Sequence, residues 1–207
     1  MTPVSRSASY GWLKRAMDLV LLVLGSPVLL PLQALVAIVV WVSMGRPVFF
    51  RQMRAGLHAR PFKVWKYRTM TNDRDGRGEL LPDEERLRPV GRWLRRLSLD
   101  ELPQLLNVFL GQMSVVGPRA VPVAFLDTTS PRYMRRYEVK PGLTGWTQVL
   151  YHGRHRTWDE KYELDLQYVD SRSLLLDIRI VLMTAGTLVR RFRFNKRGVS
   201  IGDGGDT

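Results

Sequence analysis

The stretch from Leu19 to Met44 is apolar enough to enter a bilayer, yet it contains Pro27 and Pro31. About 20 apolar residues suffice to span the hydrocarbon core as one helix. Proline removes a backbone donor and collides with the carbonyl four residues earlier, which costs about 3 kcal/mol in a helix interior. Pro27 would strand the carbonyl of Val23, and Pro31 that of Pro27. The Ser26 hydroxyl is placed to bond back to the Leu22 carbonyl, which also favours a bend. Lys14 and Arg15 precede the run, and Arg46, Arg51 and Arg54 follow it. Positive charge marks the cytoplasmic side of a membrane segment. A helix that enters, bends near Ser26-Pro27 and leaves by the same face satisfies that rule most simply. A kinked through-going span is the alternative, because proline is common in transmembrane helices. A cleaved signal peptide fits poorly: the run is too long, and no small-x-small cleavage site follows it.

A chain of 207 residues suits one domain with appended membrane elements. Lys plus Arg number 32 against 19 Asp plus Glu, a net charge of +13 that calls for an anionic partner. The membrane segment favours lipid headgroups and phosphates over nucleic acid in that role. With no cysteine, disulfides, thiolate metal sites and cysteine nucleophiles are excluded. His58, His152 and His155 are too few and too scattered for a zinc site.

Along the chain, Met1 to Gly11 reads as a loose lead-in, and Gly45 to Phe50 as a turn leading into a short aromatic run. Arg51 to Gly56 reads as a turn. Pro61 to Arg68 alternates apolar with basic residues, which predicts a short strand or hairpin with one basic face. Thr71 to Pro89 lacks periodicity and reads as a mobile surface loop. Val90 to Leu97 suits a short basic helix. Leu102 to Phe109 has helical spacing and stops at Gly111. Gly117-Pro118-Arg119 and Lys140 to Trp146 are turns. Trp158 to Val169 reads as an amphipathic helix. Leu174 to Val189 is apolar but contains Asp177 and Arg179, each costly within a membrane, so it predicts a packed or interfacial helix. Arg190-Arg191-Phe192-Arg193-Phe194 would suit an anionic lipid surface as well as solvent.

Ser98-Leu99-Asp100-Glu101-Leu102-Pro103-Gln104 has two readings. One is a capping box, with Ser98 as N-cap and Glu101 reaching back. The other starts from the basic company of Arg92, Arg95, Arg96 and Arg119, which would keep a carboxylate at a helix N-terminus ionised. An ionised aspartate can attack phosphorus and form an acyl phosphate, while basic groups and a divalent cation neutralise the remaining phosphate oxygens.

At this point the motifs coincide with those of a known family. From about Lys14 to Val189 the chain resembles the bacterial sugar transferases, small monotopic polyprenyl-phosphate sugar-1-phosphate transferases. The blocks that carry the resemblance are, in order, Lys14-Arg15 to Asp18, Ser26-Pro27, Gly45 to Arg54, Lys66-Tyr67-Arg68-Thr69-Met70, Ser98 to Asn107, Met113 to Arg119 and Lys140 to Trp146. Each block is weak alone; their order and spacing are specific. Tyr67 stands where the family often has phenylalanine. The chain also lacks the long N-terminal membrane region of larger members, which implies the minimal catalytic form.

The resemblance implies that Asp100 attacks the β-phosphate of a nucleotide-diphosphate sugar, expels the nucleoside monophosphate and holds the sugar phosphate covalently. Polyprenyl phosphate then displaces it. Asp100 would be nucleophile and Mg2+ ligand, Glu101 its acidic partner, and Lys66, Arg95 and Arg119 the phosphate and nucleotide contacts. Ser26 and Pro27 would break a re-entrant helix. The expected fold is α+β and mainly helical: a re-entrant membrane helix, a short β-hairpin and amphipathic interfacial helices around a small catalytic domain. The expected divisions are a tail at 1–13, a membrane helix at 14–45, a cytoplasmic domain at 46–190 and a basic, flexible tail at 191–207. The expected setting is the cytoplasmic face of the bacterial inner membrane, with lipid, nucleotide sugar and polyprenyl phosphate as partners and glycosyltransferases downstream. Specificity residues are expected in 71–89 and 149–156. The competing readings are a basic nucleic-acid module, with aromatic and basic residues interleaved in Phe62 to Arg68, and a non-enzymatic membrane scaffold.

Overall fold

The computed structural model describes residues 8–126, 129–150 and 157–195. Its first element, α1, runs without interruption from Ala8 to Met44, so it begins inside the stretch read as a tail. Such a helix would be about 55 Å long if straight. Ser26 Oγ donates to the carbonyl of Val23 at 2.8 Å, not to that of Leu22 as expected. Val23 is the residue whose carbonyl Pro27 deprives of its donor, so the serine repairs the proline's defect one position along. Among the described residues α1 alone is long and apolar enough to cross a membrane.

Both ends of α1 pack on the same domain. At the N-terminal end, Tyr10 and Lys14 donate to Asp177, and Arg15 donates to the carbonyls of Val108 and Phe109. Asp18 accepts from Ser114 Oγ and the Val115 amide, each at 3.0 Å. Toward the other end, Val36 and Val40 enter a core with Tyr67, Leu94, Leu97 and Leu99. Tyr67 Oη donates to the Gln33 carbonyl, and Arg68 caps the end of the helix through the carbonyls of Met44, Gly45 and Arg46. Between these limbs, Val23, Leu24, Val28 and Leu30 are exposed.

An antiparallel hairpin follows, β1 (Phe49–Ala55) on β2 (Pro61–Tyr67), with Phe49 opposite Tyr67 and Ala55 opposite Pro61. The expected turn at Arg51 to Gly56 is therefore strand as far as Ala55. The chain reverses later, where His58 and Ala59 adopt positive φ. The segment 71–89 is more ordered than a loop: Arg74 bridges Leu80, Asp75 accepts from the Arg77 and Glu79 amides, and α2 (Asp83–Arg86) closes it.

Next come α3 (Pro89–Arg96), a 3-10 turn (Leu99–Glu101) and α4 (Gln104–Phe109). Strand β3 (Ser114–Val116) lies parallel to β4 (Gly142–Thr144), with α5 (Pro131–Met134) between them in sequence. A Cβ on Gly142 would overlap the Gly117 amide, and one on Gly145 would overlap the Gly117 carbonyl. The glycines of both turns are thus required by backbone-to-backbone approach. Helices α6 (Trp146–Leu150), α7 (Trp158–Ser171) and α8 (Leu174–Asn195) complete the fold. Thr157 and Glu160 form a capping box at the start of α7.

Two helices bury polar side chains while exposing some of their apolar ones. In α4, Gln104, Asn107 and Val108 are buried, while Leu106 and Phe109 face out, followed by exposed Leu110. In α8, Asp177 is fully buried and takes Tyr168 Oη as well as Tyr10 and Lys14, while Leu175, Ile178 and Leu182 are exposed. The backbone of 190–195 continues α8; the side chains of the basic stretch there, and residues 196–207, lie outside the description.

Candidate active site

Asp100 and Glu101 sit on the 3-10 turn between α3 and α4. The expected capping box is absent. Ser98 enters the turn at φ 55 without a side-chain cap, and the Glu101 carboxylate is committed elsewhere. Lys66 Nζ donates to Glu101 Oε1 at 2.9 Å, and Arg119 Nη2 donates to the same oxygen at 2.8 Å. Burial alone would raise the Glu101 carboxyl, but Arg119 and Lys66 overcome it and hold the group well below the usual carboxylate range.

Asp100, only 8% exposed, behaves in the opposite way. Burial first, and then the charge of Glu101, push its carboxyl up to about 6, against the pull of Lys66, Arg95 and Arg119. The sequence predicts that basic neighbours and a helix terminus keep Asp100 ionised; burial raises its carboxyl against them, yet not far enough to neutralise it at pH 7. Among the described residues Asp100 makes no ion pair. It is a carboxylate kept unengaged, still mostly ionised at neutral pH and more basic than an ordinary aspartate.

Each cation has a structural reason to be there. Lys66 lies on β2, whose outer edge is tied to α4 by Asn107. The fully buried Asn107 side chain accepts from the Trp65 amide and donates to the Lys63 carbonyl. Arg95, on α3, donates to Thr69 Oγ1 at 2.9 Å and bears on Asp100 through its charge. Arg119 follows β3, where its backbone bridges Gly142. Its carbonyl accepts from Arg136, itself paired at 2.5 Å with buried Asp165. The structure thus gathers Lys66, Arg119, Glu101 and Asp100 and brings Arg95 to bear on them. Ser26 and Pro27 lie within α1 and are not part of this group.

A cleft beside Glu101 is lined by Arg54, Gln104, Arg119, Ala120 and Gly142; Asp100 is not in its wall. Sequence reasoning named Arg54 only as a basic flank of the apolar run and the end of a family block, and Gln104 only as part of the Ser98 segment, not as site residues. The available signal was the spacing of Gln52 and Arg54, which puts both on one face of a strand. Residues 151–156, including His152 and His155 and most of the expected specificity segment 149–156, lie outside the described residues.

Among the described residues no three His, Asp or Glu side chains gather into a metal cage. A lone carboxylate such as Asp100 is compatible with a hard divalent cation that also binds phosphate. Magnesium takes one or two carboxylates and completes its shell with phosphate and water, and Asp100 is the carboxylate not already saturated by cations.

One carboxylate is thus neutralised by cations and its neighbour is raised by burial, beside an arginine-lined cleft. The family described as Bacterial sugar transferase matches residues 9–191, and the chain belongs to that family. It is 52% identical over 147 residues to the uncharacterised sugar transferase EpsL of Bacillus subtilis, covering 70% of this chain and 72% of that one. It is 41% identical over 182 residues to the UDP-glucose:undecaprenyl-phosphate glucose-1-phosphate transferase of Escherichia coli, covering 83% of this chain and 39% of that protein. It is 36% identical over 194 residues to the UDP-N-acetylgalactosamine-undecaprenyl-phosphate N-acetylgalactosaminephosphotransferase of Aeromonas hydrophila, covering 90% and 46%. The chain therefore spans less than half the length of these last two relatives.

Proposed function

We propose that this protein transfers a sugar-1-phosphate from a UDP-sugar to undecaprenyl phosphate through an aspartyl-phosphosugar intermediate, as the first step in building a cell-surface glycan. The observation that carries this reading is Asp100: buried, basic for a carboxylate, and left unengaged while Glu101 takes Lys66 and Arg119. An Asp100 oxygen attacks the β-phosphorus, forming the acyl-phosphate bond. The bond from that phosphorus to the bridging oxygen breaks, and its electron pair leaves with the nucleoside monophosphate. A phosphate oxygen of undecaprenyl phosphate then attacks the same phosphorus and releases the Asp100 carboxylate. Glu101, ionised throughout, keeps Lys66 and Arg119 in place beside the reacting phosphate. Mg2+ held by Asp100 would supply further neutralisation of phosphate charge.

Membrane placement belongs to the same reading. Residues toward both ends of α1 pack on one domain, which supports a re-entrant helix over a through-going span, while exposed apolar side chains run along the helix from Trp12 to Val42. The outward Leu106 and Phe109 of α4, and Leu175 and Leu182 of α8, support interfacial helices. Basic residues flanking α1 favour the cytoplasmic face, where lipid phosphate and soluble sugar nucleotide can meet at one site. Glycosyltransferases acting on the lipid-linked product are the expected downstream partners.

The test is the nucleotide product. Purified protein with Mg2+, UDP-sugars and undecaprenyl phosphate is expected to release UMP; release of UDP would replace this mechanism with ordinary glycosyl transfer. Asp100→Asn is expected to abolish turnover, and activity retained by that variant refutes the nucleophile. A basic scaffold or nucleic-acid module predicts no nucleotide release at all.

A further inference from the structure

Arg54, Gln104 and Arg119 line a small crevice beside Glu101, the sequence neighbour of Asp100. In phosphoryl transfer the attacking and leaving oxygens lie roughly in line on opposite sides of phosphorus. A donor attacked by Asp100 must therefore send its leaving phosphate away from Asp100, into a place with its own cations. Arg119 reaches both regions, since it pairs with Glu101 on the dyad and lines the cleft. Arg54 lines the cleft as well, on the far limb of the hairpin from Lys66.

Arg54 is oriented by its own strand. Gln52 Oε1 accepts from Arg54 Nε at 3.1 Å and from Nη2 at 2.9 Å, and Arg54 Nη1 donates to the Ala120 carbonyl. Gln52 and Arg54 are two apart on β1, hence on one face of the strand. Gln52 grips one edge of the guanidinium as a carboxylate would, but without adding negative charge. A guanidinium held in this way loses little freedom on meeting a phosphate, and its planar donor fork matches two phosphate oxygens. Gln104 adds a side-chain amide to the same wall.

We infer that Arg54, oriented by Gln52, forms with Arg119 the leaving-group subsite that holds the α-phosphate of the nucleotide donor and then the departing nucleoside monophosphate. As the bond to the bridging oxygen breaks, the charge gained by the leaving phosphate falls on these two guanidiniums. Arg54 thus touches the donor nucleotide, not the lipid acceptor. This inference rests on the transferase reading above.

The experiment compares wild type, Arg54→Ala, Arg54→Lys and Gln52→Ala in full-length protein reconstituted in lipid nanodiscs. UMP binding is measured by calorimetry without other substrates, and the KM for each substrate is measured separately. Arg54→Ala is expected to weaken UMP binding and raise the donor KM by about tenfold or more, the size of a lost charge-assisted hydrogen bond. Its KM for undecaprenyl phosphate should stay within about twofold, because the subsite is emptied before the second step. Arg54→Lys should recover part of the loss, as a point charge without the fork. Gln52→Ala should shift the same constants in the same direction by a smaller factor, at an unchanged melting temperature. Unchanged UMP binding in Arg54→Ala and Gln52→Ala, or a rise confined to the acceptor KM, overturns the subsite. Calorimetry reads the subsite independently of catalysis, so wild-type protein that binds UMP through Arg54 but turns nothing over would sink the transferase mechanism and leave the subsite standing. If Arg54→Ala does not fold, Arg54→Lys and Gln52→Ala carry the comparison.

Discussion

Asp100 and Glu101 are neighbours in sequence with opposite electrostatic fates, and each fate has a measurable consequence. With its carboxyl pushed up to about 6, Asp100 is expected to give turnover an acid limb near that pH, well above an ordinary aspartate. Glu101→Gln removes the like charge and releases Lys66 and Arg119 to act on Asp100. The acid limb of the residual activity should therefore move to lower pH, and a pH–rate profile reads the shift. The same burial has a stability cost. The folded state holds the Asp100 proton to higher pH than the unfolded chain, so this group favours folding as pH falls through 6 and opposes it above. Asp100→Asn should stabilise the inactive protein by about 2–3 kcal/mol at pH 7, and the gain should vanish below pH 4; melting curves at both pH values check it. The sequence revealed the carboxylate pair and its basic company but not the division of labour. Arg119 and Lys66 come from different elements, and only the packed structure reveals that both settle on Glu101.

At the scale of elements, the two glycine turns are the least tolerant part of the site. Gly142→Ala would drive its Cβ into the Gly117 amide, separating β3 from β4 and moving Arg119, whose backbone bridges Gly142. A loss of about 3–5 kcal/mol is expected, enough to deplete folded protein, and thermal melting or expression level checks it. Helix α1 allows a topological test. Pro27→Ala with Pro31→Ala restores two backbone donors and removes two ring clashes, so a straight helix gains several kcal/mol. A straight α1 cannot keep both limbs on one domain while immersing its middle in lipid. Under the re-entrant reading, the double variant should lose activity and present an N-terminal label on the opposite membrane face. Unchanged labelling would count against the bend. Legibility followed periodicity. The basic alternation from Pro61 to Arg68 disclosed β2, and the helical spacing before Gly111 disclosed α4. Strand β1 was misread at Arg51 to Gly56 because its polar residues resemble a turn until Phe49 and Ala55 are paired across the hairpin.

The molecule as a whole is organised around a surface where polar groups turn inward and apolar ones outward. Asp18 on α1 and Asp177 on α8 are buried, each satisfied by named partners, while Leu106, Phe109 and Leu182 are exposed. Sequence hydropathy picked out the apolar run of α1, but it could not see that Lys14 and Arg15 also clamp α1 to α8 and α4. Those contacts depend on residues more than 90 positions apart. If the outward residues rest in the headgroup region, their task is to hold the site at the depth of the lipid phosphate. Each large apolar side chain moved from water into lipid contributes about 1.5–3 kcal/mol, and a glutamate in its place reverses that and repels anionic lipid. Phe109→Glu with Leu182→Glu should therefore lift the site away from its acceptor while α1 still anchors the chain. The first half-reaction uses only the soluble donor, so a single-turnover burst of UMP should remain. The second uses the lipid, so steady-state turnover with undecaprenyl phosphate should fall by about tenfold or more, as the loss of a few kcal/mol of positioning implies. An equal loss in both half-reactions would mean that these side chains support the fold, and the outward faces would need another explanation.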